Sequence, residues 1–200
     1  EHTIHAIMGV PADRILRLTM LFHDIGKPQC RTTDADGVDH FHGHPEVGAE
    51  MTGQILHRLK FDNDTIRAVK RLVRYHDLRP ALTKKSIRRS MVKMGLDCFP
   101  QIFAVKRADA LAQSTYMRAE KLEAIDRFEE LYEEILAEHA CIQKKDLAIN
   151  GKDLLALGLP QGKQIGQVLD KLFAKVVEDP ACNTKEILLA EAEKELGHQG

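Results

Sequence analysis

Leu21-Phe22-His23-Asp24-Ile25-Gly26-Lys27-Pro28 is the stretch on which the fold reading turns. An apolar helix face runs into it. Over 12–25, Ile15, Leu18, Leu21, Phe22 and Ile25 recur at spacings of three, three, one and three, which a helical period places on one side. Pro11 suits the helix start, and Gly26 followed by Lys27-Pro28 suits its end. The face therefore closes in His23 and Asp24, two strong metal ligands. A lone histidine there is more often a packed core residue. A His-Asp pair is different, because an uncompensated carboxylate at a buried helix end costs several kcal/mol. A structural ion pair or a divalent cation would compensate it.

Working outward, the pattern stays helical. Val47, Met51, Ile55 and Leu59 recur every four residues over 45–60, with Pro45 in the first turn. Ile66, Val69, Leu72, Val73 and His76 mark a helix over 64–77, and Ile87, Met91 and Met94 one over 84–94 with Thr83 as N-cap. Residues 100–142 read as one or two long helices. The last third predicts helices over 151–157, 163–178 and 184–196, the last opened by an Asn183/Glu186 capping box. Only 31–42 breaks the rule: Asp36-Gly37 is a turn signal and predicts a short hairpin or an excursion loop. The fold class is all-α with a small hairpin or loop excursion.

The chain has 200 residues, 44% hydrophobic and 30% charged, a globular composition of one domain or one with an appendage. It does not begin with Met, which suggests a piece of a longer chain. No apolar run approaches the ~18 residues of a membrane span. Cys30, Cys98, Cys141 and Cys182 are scattered without C-x-x-C spacing, which argues against a zinc ribbon and suits a reducing cytoplasm. With 29 basic against 30 acidic residues there is no global polyanion signal, but charge is patterned. The stretch 58–93 is basic, and Arg71, Arg74, Lys84, Lys85, Arg88 and Arg89 are its candidates for tracking RNA phosphates. The stretch 120–138 is acidic. Two solvated helix faces explain the same pattern.

Ten histidines are many, and six fall within the first 44 residues. His2 and His5 share a helix face, His44 opens the helix 45–60, and His76-Asp77 closes the helix 64–77 as His23-Asp24 closes its own. Asp109 lies in an apolar helix between alanines, where it needs a cation or a salt bridge with a neighbour such as Arg107. His2, His23, Asp24 and Asp109 form the candidate metal set, and His44 and His76 the candidate ligands of a second metal or of substrate. His5, His40, His42 and Asp77 are assigned to structure or to orienting the ligands, and His57, His139 and His198 to the surface. Imidazole and carboxylate together suit Mg, Mn, Fe, Co, Ni or Zn without selecting among them.

The ordered set His2, His23-Asp24-Ile25-Gly26-Lys27, Gly43-His44, Tyr75-His76-Asp77 and Ala108-Asp109-Ala110 resembles the HD-domain phosphohydrolase superfamily. Gly43-His44-Pro45-Glu46-Val47-Gly48-Ala49 and the tail Asp146-Leu147-Ala148-Ile149-Asn150-Gly151-Lys152-Asp153-Leu154 are similar to the C-terminal part of bacterial CCA-adding tRNA nucleotidyltransferases and their poly(A)-polymerase-like relatives. The resemblance implies an HD helical bundle over 1–115, a connecting helix over 116–144 and a helical appendage over 145–200. It implies one or two divalent ions, with Asp24 and Lys27 catalytic. The implied substrates are 2′,3′-cyclic or 2′-phosphorylated nucleotides or tRNA ends. Nucleotide addition is not expected of this chain: its D-x-D, Asp34-Ala35-Asp36, sits in the turn-rich excursion. The alternative is a non-catalytic tRNA-holding body with a structural or vestigial metal site.

Overall fold

The computed structural model describes residues 1–197, so His198 lies outside the described residues. The chain forms two compact units that interleave along the sequence. The first takes 1–79 and 94–129; the second takes 80–93 and the chain from 130 onward. The sequence reading instead ends its first domain at 115 and starts its appendage at 145. Among the described residues there are ten α-helices and a single two-stranded sheet, an all-α architecture as expected.

The first unit holds α1 (His2–Gly9), α2 (Arg14–Phe22), a 3-10 turn (Lys27–Cys30), β1 (Thr32–Thr33), β2 (Asp39–His40), α3 (His44–Arg58), α4 (Asn63–Tyr75) and α6 (Gln101–Ala112). Helix α2 begins two residues later than Pro11 suggests, because the Asp13 carboxylate accepts from the Leu16 N–H at 2.8 Å and sets the cap. Phe22, Ala49, Leu56, Ile66, Val69 and Val73 pack with Ile15, Leu18 and Ile25. Leu21 does not join them: it is 48% exposed, a quarter-turn off the Leu18–Phe22–Ile25 line. Of the two forms expected for the excursion, it takes the hairpin, antiparallel with Thr32 opposite His40. Asp34 accepts from the Asp36 and Val38 N–H groups, so the D-x-D is a turn.

Two close approaches shape this unit. A Cβ on Gly26 would lie 2.3 Å from the His44 carbonyl and 2.7 Å from the Gly48 nitrogen, so only glycine lets α3 close on the turn after α2. A Cβ on Gly9 would meet Ala108 at 3.2 Å, so α1 approaches α6 closely at the residue before Asp109. The expected helical run 100–142 is two helices, α6 and α7 (Arg118–Ala137). The break is at 113–117, where Gln113 turns extended and Met117 adopts a positive φ of 50°.

The second unit holds α5 (Lys84–Met94, up to Lys93), the last turns of α7, α8 (Gly151–Ala156), α9 (Lys163–Glu178) and α10 (Lys185–Gly197). Leu154, Val168, Leu172, Phe173, Val176, Leu188 and Ala192 form its core. Asn150 and Asp153 make a reciprocal capping box on α8. Asn183 does not cap α10 as expected. Its side chain accepts from the Ala148 N–H and donates to the Asp146 carbonyl, and Thr184 Oγ1 accepts from the Ile187 N–H instead.

Candidate metal centre

His23 and His76 occupy the C-cap positions of α2 and α4. Helix ends leave unsatisfied carbonyls, and each ring takes the one three residues back: His23 Nδ1 donates to the Met20 carbonyl at 2.8 Å and His76 Nδ1 to the Val73 carbonyl at 2.7 Å. His44 Nδ1 donates to the Phe41 carbonyl at 2.8 Å, and His2 Nδ1 to the Ala112 carbonyl at 3.2 Å. A carbonyl only accepts, so all four neutral rings carry their proton on Nδ1 and leave Nε2 as a lone pair.

Those four lone pairs meet in two pairs on either side of Asp24. His2 and His23 Nε2 are 3.1 Å apart, and His44 and His76 Nε2 are 3.3 Å apart. Acceptor facing acceptor at this range is repulsive unless a proton or cation lies between. Asp24 joins the two pairs. Its Oδ2 is 3.4 Å from His23 and 3.8 Å from His2; its Oδ1 is 3.7 Å from both His44 and His76. Asp109 Oδ1 completes the first pair, at 3.2 Å from His2 and 3.5 Å from His23. Two ligand groups result, His2/His23/Asp24 and Asp24/His44/His76. The donor set fits divalent ions, with imidazole and carboxylate ligands and the far ring nitrogens already oriented by carbonyls.

Electrostatics agree with the geometry. Burial disfavours a charged His23, but Asp109, Asp24 and the Met20 carbonyl outweigh it and raise its pKa above the ordinary imidazole value. Burial, together with the neighbouring His76, lowers His44. Asp24 is held well below the usual carboxylate range: burial opposes this, and His76, Lys27 and His23 overcome it. Asp109 is lowered against its own burial by His23, His2 and His76. Arg107, the alternative partner for Asp109, instead pairs with Asp126 and Glu129 at 2.6 Å each.

Lys27 Nζ lies 2.6 Å from Asp24 Oδ2 and 5.9 Å from the Phe41 ring centroid. Both line a cleft of about 500 Å³ with Asp24, His44, His76 and Asp109. His40, His42, Asp77, Arg79 and Gln113 line the same cleft. His5 is exposed and lies apart from it. The sequence reading did not single out Phe41, Arg79 or Gln113. For Gln113 a signal existed, since it stands four residues after Asp109 on the same helix face.

Five of the six expected phosphate-tracking residues are ion-paired within their own unit. In the first unit Arg71 pairs with Asp97 at 2.5 Å and Arg74 with Glu50 at 2.6 Å. In the second, Lys84 pairs with Glu134 and Glu138, and Lys85 and Arg89 with Glu178. These pairs push the Glu178 carboxyl down to about 2, Arg89 contributing most. Arg88 is buried and donates to the Val177 and Glu178 carbonyls at 2.9 and 3.1 Å, closing the end of α9. The basic stretch thus finds much of its counter-charge inside the chain, partly on the acidic helix α7.

An all-α chain that gathers four imidazoles and two carboxylates in one cluster is a helical module with a candidate two-ion centre. Its affiliation follows from similarity. Residues 45–192 match the family model for tRNA nucleotidyltransferase domain 2. The chain is 32% identical over 185 residues to the CC-adding tRNA nucleotidyltransferase of Thermus thermophilus, across 89% of this chain and 41% of that protein. It is 33% identical over 185 residues to the A-adding tRNA nucleotidyltransferase of Deinococcus radiodurans, across 86% of this chain and 41% of that protein. The chain belongs to the tRNA nucleotidyltransferase family, and it spans about two-fifths of the length of these relatives. The family-model match begins after His2, His23, Asp24 and His44, so that match is independent of them.

Proposed function

We propose that this chain is the helical, tRNA-holding body of a cytoplasmic tRNA nucleotidyltransferase-family protein, and that its His/Asp cluster is a metal-dependent phosphohydrolase centre of the HD type. The substrates are 2′,3′-cyclic or 2′-phosphorylated nucleotides or tRNA ends. One observation carries the hydrolytic reading: four Nε2 lone pairs, each set by an Nδ1–H to carbonyl bond, converge on Asp24. His2, His23, Asp24 and Asp109 would hold one ion, and Asp24, His44 and His76 a second. A bound ion would lower the pKa of its water and polarise a phosphoryl oxygen. Asp24 spans both groups and orients what lies between them. Lys27, 39% exposed beside it, offers its ammonium to a phosphate oxygen entering the cleft.

A second reading has its own observation. Both relatives are named for nucleotide addition, and the family match extends through the second unit to residue 192. The body then serves to hold tRNA, and the ligand cluster is vestigial. Purified protein incubated with Mn²⁺, Ni²⁺ or Mg²⁺ and 2′,3′-cyclic AMP separates the two. Metal-stimulated release of a phosphomonoester supports the hydrolase. Metal-independent, salt-sensitive tRNA binding with no turnover under any ion retires it in favour of the holding role. As to location, no helix among the described residues is long and apolar enough to cross a membrane.

A further inference from the structure

Gln113 ends α6 and is gripped at every polar atom. Its backbone N–H donates to the Asp109 carbonyl at 3.1 Å, and the Arg118 guanidinium donates to the Gln113 carbonyl at 2.8 Å. Its side-chain Nε2 donates to Asp109 Oδ2 at 2.8 Å, while Lys121 Nζ donates to its Oε1 at 2.8 Å. The amide has one tenable orientation. Flipped, it would set its oxygen against a carboxylate oxygen and its NH₂ against an ammonium, acceptor on acceptor and donor on donor. Lys121 therefore decides which end of Gln113 faces Asp109, and Gln113 decides which carboxylate oxygen is engaged. Oδ2 is occupied by the amide, and Oδ1 is left between His2 and His23.

The same corner orients His2, whose Nδ1 donates to the carbonyl of Ala112, the residue before Gln113. Two of the three elements bringing ligands to the first group thus depend on how the α6–α7 corner is closed. We propose that Gln113 is a positioning residue for Asp109, and that Lys121 acts on the metal centre only through Gln113. This rests on the proposed metal centre. The relay reaches His2, His23 and Asp109 and has no member at His44 or His76, so it tunes one ion position and spares the other.

The test is metal binding rather than turnover. Mn²⁺ alone is titrated by calorimetry into wild type, Gln113→Ala, Lys121→Met and the double variant, with helicity and metal-free melting checked for each. Loss of such an orienting partner weakens affinity about 10–100-fold. Gln113→Ala is expected to show that loss, and Lys121→Met a smaller one. The double variant is expected to bind no worse than Gln113→Ala, because Lys121 has nothing left to act through. Additive losses, or unchanged affinity in Gln113→Ala, would overturn the relay. If Gln113→Ala fails to fold, Gln113→Asn and Lys121→Met carry the test: a shorter amide reaches only one partner, and both must weaken binding. Failure of wild type to bind Mn²⁺, Ni²⁺, Zn²⁺ or Mg²⁺ removes the metal centre itself, whereas binding in wild type with no change in the variants removes only the relay.

Discussion

Replacing Asp24 by Asn separates charge from shape at the centre of the cluster. The side chain keeps its size, so the core around α2 and α3 has no reason to rearrange. What changes is the counter-charge. Asp24 touches Lys27 at 2.6 Å and faces all four ligand imidazoles at 3.4–3.8 Å. Two unit charges at 4 Å attract by about 4 kcal/mol at an effective dielectric of about 20. Lys27 is 39% exposed, and solvent screening reduces the lost pair to about 1 kcal/mol. The Asn amide also donates toward the imidazole lone pairs, which offsets part of that. Metal-free melting should therefore move by only a few degrees. Metal chemistry has no such compensation, since the residue shared by both ligand groups loses its charge. Acid–base and metal contributions of this kind are each worth about 10²–10⁴-fold. Turnover of 2′,3′-cyclic AMP should fall at least about a hundredfold, and Mn²⁺ affinity with it, while tRNA binding measured by filter retention stays within about twofold. Equal turnover in Asp24→Asn and wild type, both folded and metal-loaded, would refute the assignment of Asp24.

Three further expectations follow from the same geometry. His23 has a raised pKa in the metal-free protein. Its protonation stabilises the fold fully below the unfolded value near 6.5 and fades as pH rises through the folded value. Metal must displace that proton, so the rise in melting temperature on adding Mn²⁺ should grow from pH 6 to pH 8; a rise that shrinks would contradict it. Gly26→Ala forces a Cβ to within 2.3 Å of the His44 carbonyl. Urea denaturation should show a loss of about 1–3 kcal/mol, with weaker metal binding because His44 is pushed off Asp24. Arg88→Met leaves the Val177 and Glu178 carbonyls without their donor, so it should cost about 2–3 kcal/mol in urea. Its tRNA affinity, measured where the protein remains folded, should match wild type; a selective loss of RNA binding would return Arg88 to the phosphate-tracking set.

Helix type and rough extent were legible wherever the cause is local. The i, i+3, i+4 spacing of apolar residues needs no partner to be read, and α9 ends where its pattern predicts, at 163 and 178. Candidate ligands are local too: His23, Asp24 and His76 stand out by residue type at a helix end. Burial within a pattern is less so, as exposed Leu21 illustrates, because which side of a stripe is covered depends on what packs there. Partners far apart in the chain were not legible. Arg88 reads as one of a row of surface cations until α9, 89 residues on, presents carbonyls to it. Lys84 and Arg107 find carboxylates on α7 that no spacing rule connects to them. Residue types along the chain identify the groups able to bind a metal, but ligation depends on angles and distances of a few tenths of an ångström. Those depend on the Gly26 contact, on the carbonyls that orient each imidazole, and on the corner that aims Asp109.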